Sequence, residues 1–263
     1  MRRLAHVSDL HFGREDPAVV AGLARDIAEM RADLVLVSGD LTQRARRREF
    51  AAAAEFLRGL PAPFIAVPGN HDIPLFDVAR RATTPFRRFR RFVGPDVVQY
   101  GDDEVAVLGL NTAFPFVWKG GLLRRRQLAR LAAWSKETGD RCRIVVTHHP
   151  FASPSEGTGH SLVRRSGAGI QAMEAARVDL VLTGHHHLVG RSESRAFAVG
   201  GPHRLIVVGA GTSTSVRVRG APNSYNLIHV DDGKFVVEER RWKDGRFHAS
   251  ALQTYPRHPV RLA

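Results

Sequence analysis

Short runs of aliphatic and β-branched residues recur along the chain, and each stops abruptly at a polar residue or a glycine turn. Leu34-Val35-Leu36-Val37 runs into Ser38-Gly39-Asp40, and Phe64-Ile65-Ala66-Val67 into Pro68-Gly69-Asn70. Ile144-Val145-Val146 leads to Thr147-His148-His149, and Leu180-Val181-Leu182 to Thr183-Gly184-His185. Continuous apolar runs of this length suit strands covered on both faces. Between them, apolar residues repeat at helical spacing from Ala18 to Met30, an Ala-rich stretch spans Arg46 to Leu60, and Arg124 to Lys136 follows the same plan. Strand then helix, repeated, predicts an α/β fold. From Arg204 the rhythm changes. Leu205 to Val208, Tyr225 to Val230, Phe235 to Glu239 and Phe247 to Gln253 read as successive strands, joined by turns such as Asp231-Asp232-Gly233. A meander of that kind predicts a second, more antiparallel sheet. The expected architecture is therefore a four-layer α/β sandwich of two mixed β-sheets flanked by helices. No repeat, linker or low-complexity tract divides the 263 residues, and 43% hydrophobic content suffices for one core, so one domain over 1–263 is expected.

The polar residues gather where these runs end. In α/β sheets, binding groups collect beyond the carboxyl ends of the strands, where several loops converge. Asp9 and His11 follow the first run and Asp40 the second; Asn70, His71 and Asp72 follow the third. His148 and His149 end a later strand, and His185, His186 and His187 another. Carboxylate oxygen, amide oxygen and imidazole nitrogen form a donor set suited to Mn, Fe or Zn. The single cysteine, Cys142, argues against a thiolate zinc site, excludes a disulfide framework and suits a reducing compartment. Each element alone has a bland explanation: Asp-x-His arises by chance, Gly39-Asp40 and Gly69-Asn70 serve as turns, and three adjacent histidines can decorate a surface. Taken together, in order and all at strand ends, they need a common partner, because buried histidines and carboxylates require one.

The order Asp9-x-His11, Gly39-Asp40, Gly69-Asn70-His71-Asp72, His148-x-Pro150 and Gly184-His185-x-His187 resembles the signature of the calcineurin-like metallophosphoesterase superfamily, over residues 9 to 187. The resemblance implies the metallophosphoesterase fold and two divalent or trivalent metal ions, Mn²⁺ and/or Fe, with Zn²⁺ as the alternative. It implies that Asp9, His11, Asp40 and His187 hold one ion. Asp40, Asn70, His148 and His185 would hold the other, with Asp40 bridging and His149 and His186 outside both ligand sets. Two such cations, about 3.5–4 Å apart, clamp a phosphoryl group and lower the pKa of bound water. By the same resemblance His71 is the catalytic histidine that helps the leaving oxygen, and Asp72 either orients His71 or structures its loop. The segment Leu41-Thr42-Gln43-Arg44 lacks the second Asp and the Arg-Gly that protein Ser/Thr phosphatases carry. That departure resembles the bacterial branch grouped with cyclic-nucleotide phosphodiesterases. The implied activity is hydrolysis of a small or nucleotide-containing phosphate ester, most often a diester. Alternatives are a pyrophosphatase on a lipid-linked nucleotide at a membrane surface, a nuclease, and last a non-catalytic scaffold. The scaffold is disfavoured because all seven ligand positions and His71 are present.

Net charge is +13, carried almost wholly by arginine. Such a surface attracts phosphorylated small molecules, anionic lipid or nucleic acid, although no recognisable DNA-binding module favours the last. A basic helical insert is expected around 76–93, where Phe86, Phe89 and Val93 share one side and arginines occupy most of the rest. It reads either as an amphipathic helix over the core or as a cap that recruits acidic substrate or lies on an anionic membrane. Arg87 and Arg88 are its candidate substrate contacts, alongside Asn111 and His149. Arg44, Arg46, Arg47 and Arg48 follow Asp40 directly and add to the field there. The Ser-, Gly- and Pro-rich segment from Phe151 to Arg165 suits a pocket wall, with His160 in it. No apolar stretch nears the roughly 20 residues that span a bilayer. Met1-Arg2-Arg3 leads straight into a strand, without a signal peptide's apolar core. The expected location is cytoplasmic, with peripheral contact to the inner membrane face as the alternative.

Overall fold

Residues 1–117, 120–152, 162–185, 196–199, 205–216, 221–231 and 233–257 are described by a computed structural model of the chain. In chain order the elements are β1 (Arg2–Val7), α1 (Pro17–Glu29), β2 (Leu34–Val37), α2 (Arg47–Arg58), β3 (Phe64–Ala66), α3 (Val78–Thr83), α4 (Arg87–Phe92), β4 (Val98–Gly101) and β5 (Val105–Gly109). They continue with α5 (Arg125–Lys136), β6 (Cys142–Val146), α6 (Ser166–Ala175), β7 (Leu180–Thr183), β8 (Ala196–Val199), β9 (Leu205–Gly209), β10 (Ser224–Val230), β11 (Lys234–Lys243) and β12 (Arg246–Pro256). The continuous apolar runs are strands buried on both faces: every residue of β2, β5, β6 and β7 is buried.

Two six-stranded sheets result, ordered β12-β11-β10-β1-β2-β3 and β4-β5-β6-β7-β9-β8. Both are mixed. In the first, β1, β2 and β3 are parallel and β10 runs antiparallel to β1. In the second, β5, β6, β7 and β9 are parallel, with antiparallel β4 and β8 at the edges. Alternation along the strands divides each sheet between two cores. Leu4, Leu34, Leu36 and Ile65 meet Val107, Ile144, Val146 and Leu182 between the sheets. Ala5, Val7, Val35 and Val37 turn the other way, onto Leu23, Ile27, Phe50 and Leu57 of α1 and α2. Leu108, Val145 and Val181 pack on Leu131 and Trp134 of α5 and Met173 of α6. Helix, sheet, sheet, helix is the four-layer order expected.

One expectation about layout needs correction. The C-terminal strands do not make a sheet of their own. β9 enters the second sheet between β7 and β8, and β10, β11 and β12 extend the first sheet outward from β1. That placement pairs the edge of β1 that β2 leaves open, residue by residue from Arg2↔Val230 to His6↔Asn226. The basic insert is two short helices, α3 and α4, broken at Thr84-Pro85-Phe86; proline disfavours helical geometry in the residue before it. Phe89 of α4 is fully buried and meets Phe50 edge-on at 6.4 Å, while Phe92 stacks on the same ring at 6.4 Å. The outward arginines, Arg87, Arg90 and Arg91, are exposed. α4 is thus an amphipathic cover for the first core.

Candidate metal centre and active site

Parallel strands all deliver their carboxyl ends to one edge, so the loops after β1, β2, β3, β6 and β7 converge there. Backbone hydrogen bonds carry the pairing past the strand ends: Asp9 N donates to Gly39 O at 3.0 Å, His11 N to Asp40 O at 3.0 Å, and Gly184 N to His148 O at 3.1 Å. The two sheets are joined at this edge by His148, whose Nδ1 donates to Ser38 O at 2.7 Å. That bond sets the ring so that Nε2 faces the cluster.

Described members of the expected ligand set come together. Asp9, Asp40 and His148 each offer an atom within 4.8 Å of the others, as do His11, Asp40 and His71, and His148, His149 and His185. Asp40 sits between: its Oδ2 lies 3.5 Å from His148 Nε2 and 3.9 Å from His11 Nε2. His148 Nε2 also lies 3.2 Å from Asn70 Oδ1 and 3.2 Å from His185 Nδ1. Asp9 Oδ1 faces His11 Nε2 at 3.5 Å, while its Oδ2 accepts from Ser8 Oγ at 2.7 Å and from His185 N at 3.2 Å. His187 and His186 lie outside the described residues, as does His160.

The backbone is forced where these groups meet. Asp9, His11, Asp40 and His185 all adopt left-handed φ, at 51°, 49°, 52° and 70°. For residues with a Cβ this costs energy, and such strain concentrates at functional sites. Two glycines explain themselves by contact. A Cβ on Gly69 would stand 2.1 Å from Asp40 Oδ1, and one on Gly184 would stand 2.0 Å from Ser8 Oγ.

The electrostatics favour a cation. Burial alone would raise the pKa of Asp40, yet His148, His71 and His11 around it hold it well below the carboxylate range. Burial alone would lower His148, but Asp40 and Asp9 beside it and the Ser38 carbonyl push it up to about 9. A proton so strongly retained among buried carboxylates and imidazoles marks a place where positive charge is stabilised. A metal ion taking it would displace that proton. The donor set, carboxylate, amide and imidazole without a thiol, fits a divalent metal pair.

A profile of the calcineurin-like phosphoesterase family matches residues 2–189, which carry every one of these groups. The chain belongs to the calcineurin-like phosphoesterase family. It is 30% identical over 168 residues to glycerophosphodiester phosphodiesterase GpdQ of Enterobacter lignolyticus, a match that spans 56% of this chain and 56% of that relative. The chain thus covers little more than half of that relative's length. It is 24% identical over 249 residues to UDP-2,3-diacylglucosamine hydrolase of Escherichia coli O7:K1, spanning 85% of this chain and 97% of that one. Among solved structures, a dimetal phosphatase from Danio rerio superposes with a TM-score of 0.67 at 12% identity, covering 97% of this chain and 99% of the other. That likeness speaks for the fold.

Within this phosphoesterase fold, several residues singled out in the sequence take other parts. Asp72 does not touch the His71 ring. Fully buried, it accepts from Gly69 N at 2.9 Å, Leu41 N at 3.2 Å, Thr42 N at 2.9 Å and Thr42 Oγ1 at 2.9 Å. It therefore clamps the Asp40 loop to the Asn70 loop. Burial and the Asp40 carboxylate push its pKa up to about 6 against those four donors. His71 is held instead by Gln43, whose backbone carbonyl lies 2.9 Å from His71 Nδ1, and by Asp40, whose Oδ1 accepts from His71 N at 2.8 Å. Asn111 spends both ends of its amide internally, giving to Asp96 Oδ2 at 2.8 Å and accepting from Ala113 N at 2.9 Å. These bonds brace the loop after β5. His149 is fully buried with Nδ1 2.9 Å from Thr112 Oγ1, and burial first, then the charges of His148 and His185, press its pKa well down. Arg87 is exposed on α4, and Arg88 donates from Nη1 to Ala45 O at 2.7 Å, tying α4 to the loop before α2. The residues that sequence reasoning missed, Gln43, Ser38 and Ser8, act largely through backbone carbonyls or as short hydroxyls. No side-chain signature announces them.

Proposed function

We propose that the chain is a metal-dependent phosphoric ester hydrolase that prefers phosphodiesters, with two ions held by Asp9, His11, Asp40, Asn70, His148, His185 and His187. The observation that carries this reading is the position of Asp40 between His11 and His148, with one carboxylate oxygen toward both. When bound, the ions supply Lewis-acid polarisation of the phosphoryl group and activation of water. The chain's own residues supply the geometry. Ser38 O fixes His148, and Ser8 and the His185 amide fix Asp9. Gln43 O accepts a hydrogen bond from His71 Nδ1, which leaves Nε2 to hold and deliver a proton to the leaving oxygen. The preference for a diester is supported by the branch that the Asp40 segment resembles and by the relative named as a phosphodiesterase.

A second reading, hydrolysis of a lipid-linked nucleotide diphosphate at a membrane surface, is favoured by one further observation. Phe76, Val78 and Phe116, 77%, 72% and 68% exposed, stand out from the arginine-rich insert and the loop after β5. The longer match, to the relative named as a diacylglucosamine hydrolase, points the same way. Among the described residues no helix is long and apolar enough to cross a membrane.

The test is hydrolysis by metal-stripped protein, with and without added Mn²⁺, of bis(p-nitrophenyl) phosphate against p-nitrophenyl phosphate. Restored turnover that favours the diester is expected. Preference for the monoester would replace the diester reading, and failure to bind metal would end the hydrolase reading altogether.

A further inference from the structure

Beside His71 the surface folds into a cavity of about 520 Å³, lined by Arg14, Arg44, Arg46, Arg48, Gln43 and Phe76. Its lining holds four arginines and one carboxylate, that of Glu49. Glu49 is only 4% exposed, and its Oε2 already accepts from Arg44 N at 2.8 Å and Arg46 N at 3.2 Å. Of the four arginines only Arg46 comes within reach of it, at 3.9 Å, and no described carboxylate pairs with Arg14, Arg44 or Arg48. Arg46 occupies the N-cap position of α2 and Arg48 lies in its first turn. That end of a helix already carries roughly half a positive charge, so cations there repel it and an anion relieves both. The Arg44 guanidinium is steadied over the exposed ring of Phe76, 5.5 Å from its centroid.

The floor of the cavity connects it to the catalytic histidine. Gln43 is 5% exposed, and its Oε1 has no hydrogen-bond partner. Its Nε2 approaches only His71 Nδ1, at 3.5 Å, a nitrogen that already gives its proton to Gln43 O. Gln43 thus joins cavity to chemistry: it lines the cavity, and its carbonyl holds His71.

We propose that this cavity is a specificity subsite for a second phosphate group, carried by the substrate beyond the phosphoryl group that is cleaved. Arg14, Arg44, Arg46 and Arg48 supply its cations. The word substrate rests on the hydrolase reading above; the binding of a second phosphate does not. Substrates of this class are phosphodiesters or diphosphates that bear a further phosphate within reach of His71.

The test titrates full-length, chelator-treated protein calorimetrically with two ligands, the p-nitrophenyl ester of thymidine 5′-phosphate and the same ester carrying a 3′-phosphate. The added phosphate should tighten binding at least about tenfold at low salt, as one charge-assisted pair provides. The Arg44→Gln, Arg48→Gln double variant should reduce that preference to about threefold or less, and so should high salt, which screens exposed charges. Equal affinity of the wild-type protein for the two esters, or a preference that survives in the double variant, overturns the proposal. If the double variant loses its far-UV circular dichroism, the single Arg14→Gln variant at the cavity rim takes its place, read against the same two outcomes. Mn²⁺-dependent turnover of bis(p-nitrophenyl) phosphate by the wild-type protein tests the hydrolase reading separately. Turnover without a phosphate preference sinks the subsite alone, and a preference without turnover sinks the hydrolase reading alone.

Discussion

His6 offers a test of how the site is held from beneath. It lies fully buried in β1, with Nε2 2.9 Å from Ser38 Oγ and Nδ1 3.3 Å from Asn226 Nδ2. Asn226 donates to Nδ1, so His6 is neutral and gives its Nε2 proton to Ser38, the residue whose carbonyl holds His148. Burial, only partly opposed by Asp9, lowers its pKa from 6.5 to about 3. The sign follows from linkage. The unfolded chain takes up a proton near pH 6.5 and the folded chain does not until about pH 3, so stability is lost as pH falls through that window. At roughly 1.4 kcal/mol per pH unit, the loss from this one group between pH 7 and pH 5 is about 2 kcal/mol. His6→Gln removes the titration while keeping a donor and an acceptor. Urea unfolding of both proteins at pH 7 and pH 5, with chelator present so that metal release does not contribute, measures the difference. The wild type should lose about 2 kcal/mol more than the variant over that interval. Parallel pH dependences would mean that His6 can be protonated in the folded state, and the buried neutral tautomer would be wrong.

Three other substitutions separate the parts of the site. His71→Ala should retain both metal ions by elemental analysis and lose about 10²- to 10⁴-fold in turnover; unchanged turnover would remove His71 from the reaction. Asp72→Asn replaces an acceptor facing Gly69 N and Leu41 N with a donor and should weaken metal affinity by about 10- to 100-fold in competition with a chromogenic chelator. Full metal affinity with lost turnover would instead return Asp72 to a direct catalytic part. Gly69→Ala places a methyl group against Asp40 Oδ1 and should lower the bound metal below two ions per chain while the far-UV spectrum is kept. Two tightly bound ions in that variant would show that the Asp40 loop can move aside.

Much of the fold and of the candidate site was legible from residue type and position. A run such as Leu34 to Val37 is apolar throughout, which only a strand covered on both faces accommodates, and all four residues are buried. The donor residues stand at the ends of such runs, and parallel pairing alone brings those ends to one edge. Asp9, Asp40 and His148 could therefore be grouped before any distance was known. The glycines of the same motifs were legible as turn residues only. Their steric reason, Asp40 pressed against Gly69 and Ser8 against Gly184, lies between segments far apart in the chain.

Local pattern decided which segments become strands and helices and which residue types crowd their ends, because those properties reside in each side chain and its spacing. Partnership was decided only in three dimensions. β10 to β12 read as strands from their own residues, but that they add to β1 rather than to one another alone depends on backbone N–H and C=O groups, which nearly every residue carries alike. The same holds within the site. Asp72 carries a carboxylate that suits catalysis or capping equally, and its four donors from two loops make it a clamp. Arg88 carries the charge that a substrate contact needs, and its bond to Ala45 O makes it a tie. Gln43 carries nothing distinctive, yet its position puts a carbonyl on His71 and the residue in the lining of the arginine cavity. A side chain's chemistry is written in the sequence, and its use is set by what the folded chain brings within about 3 Å of it.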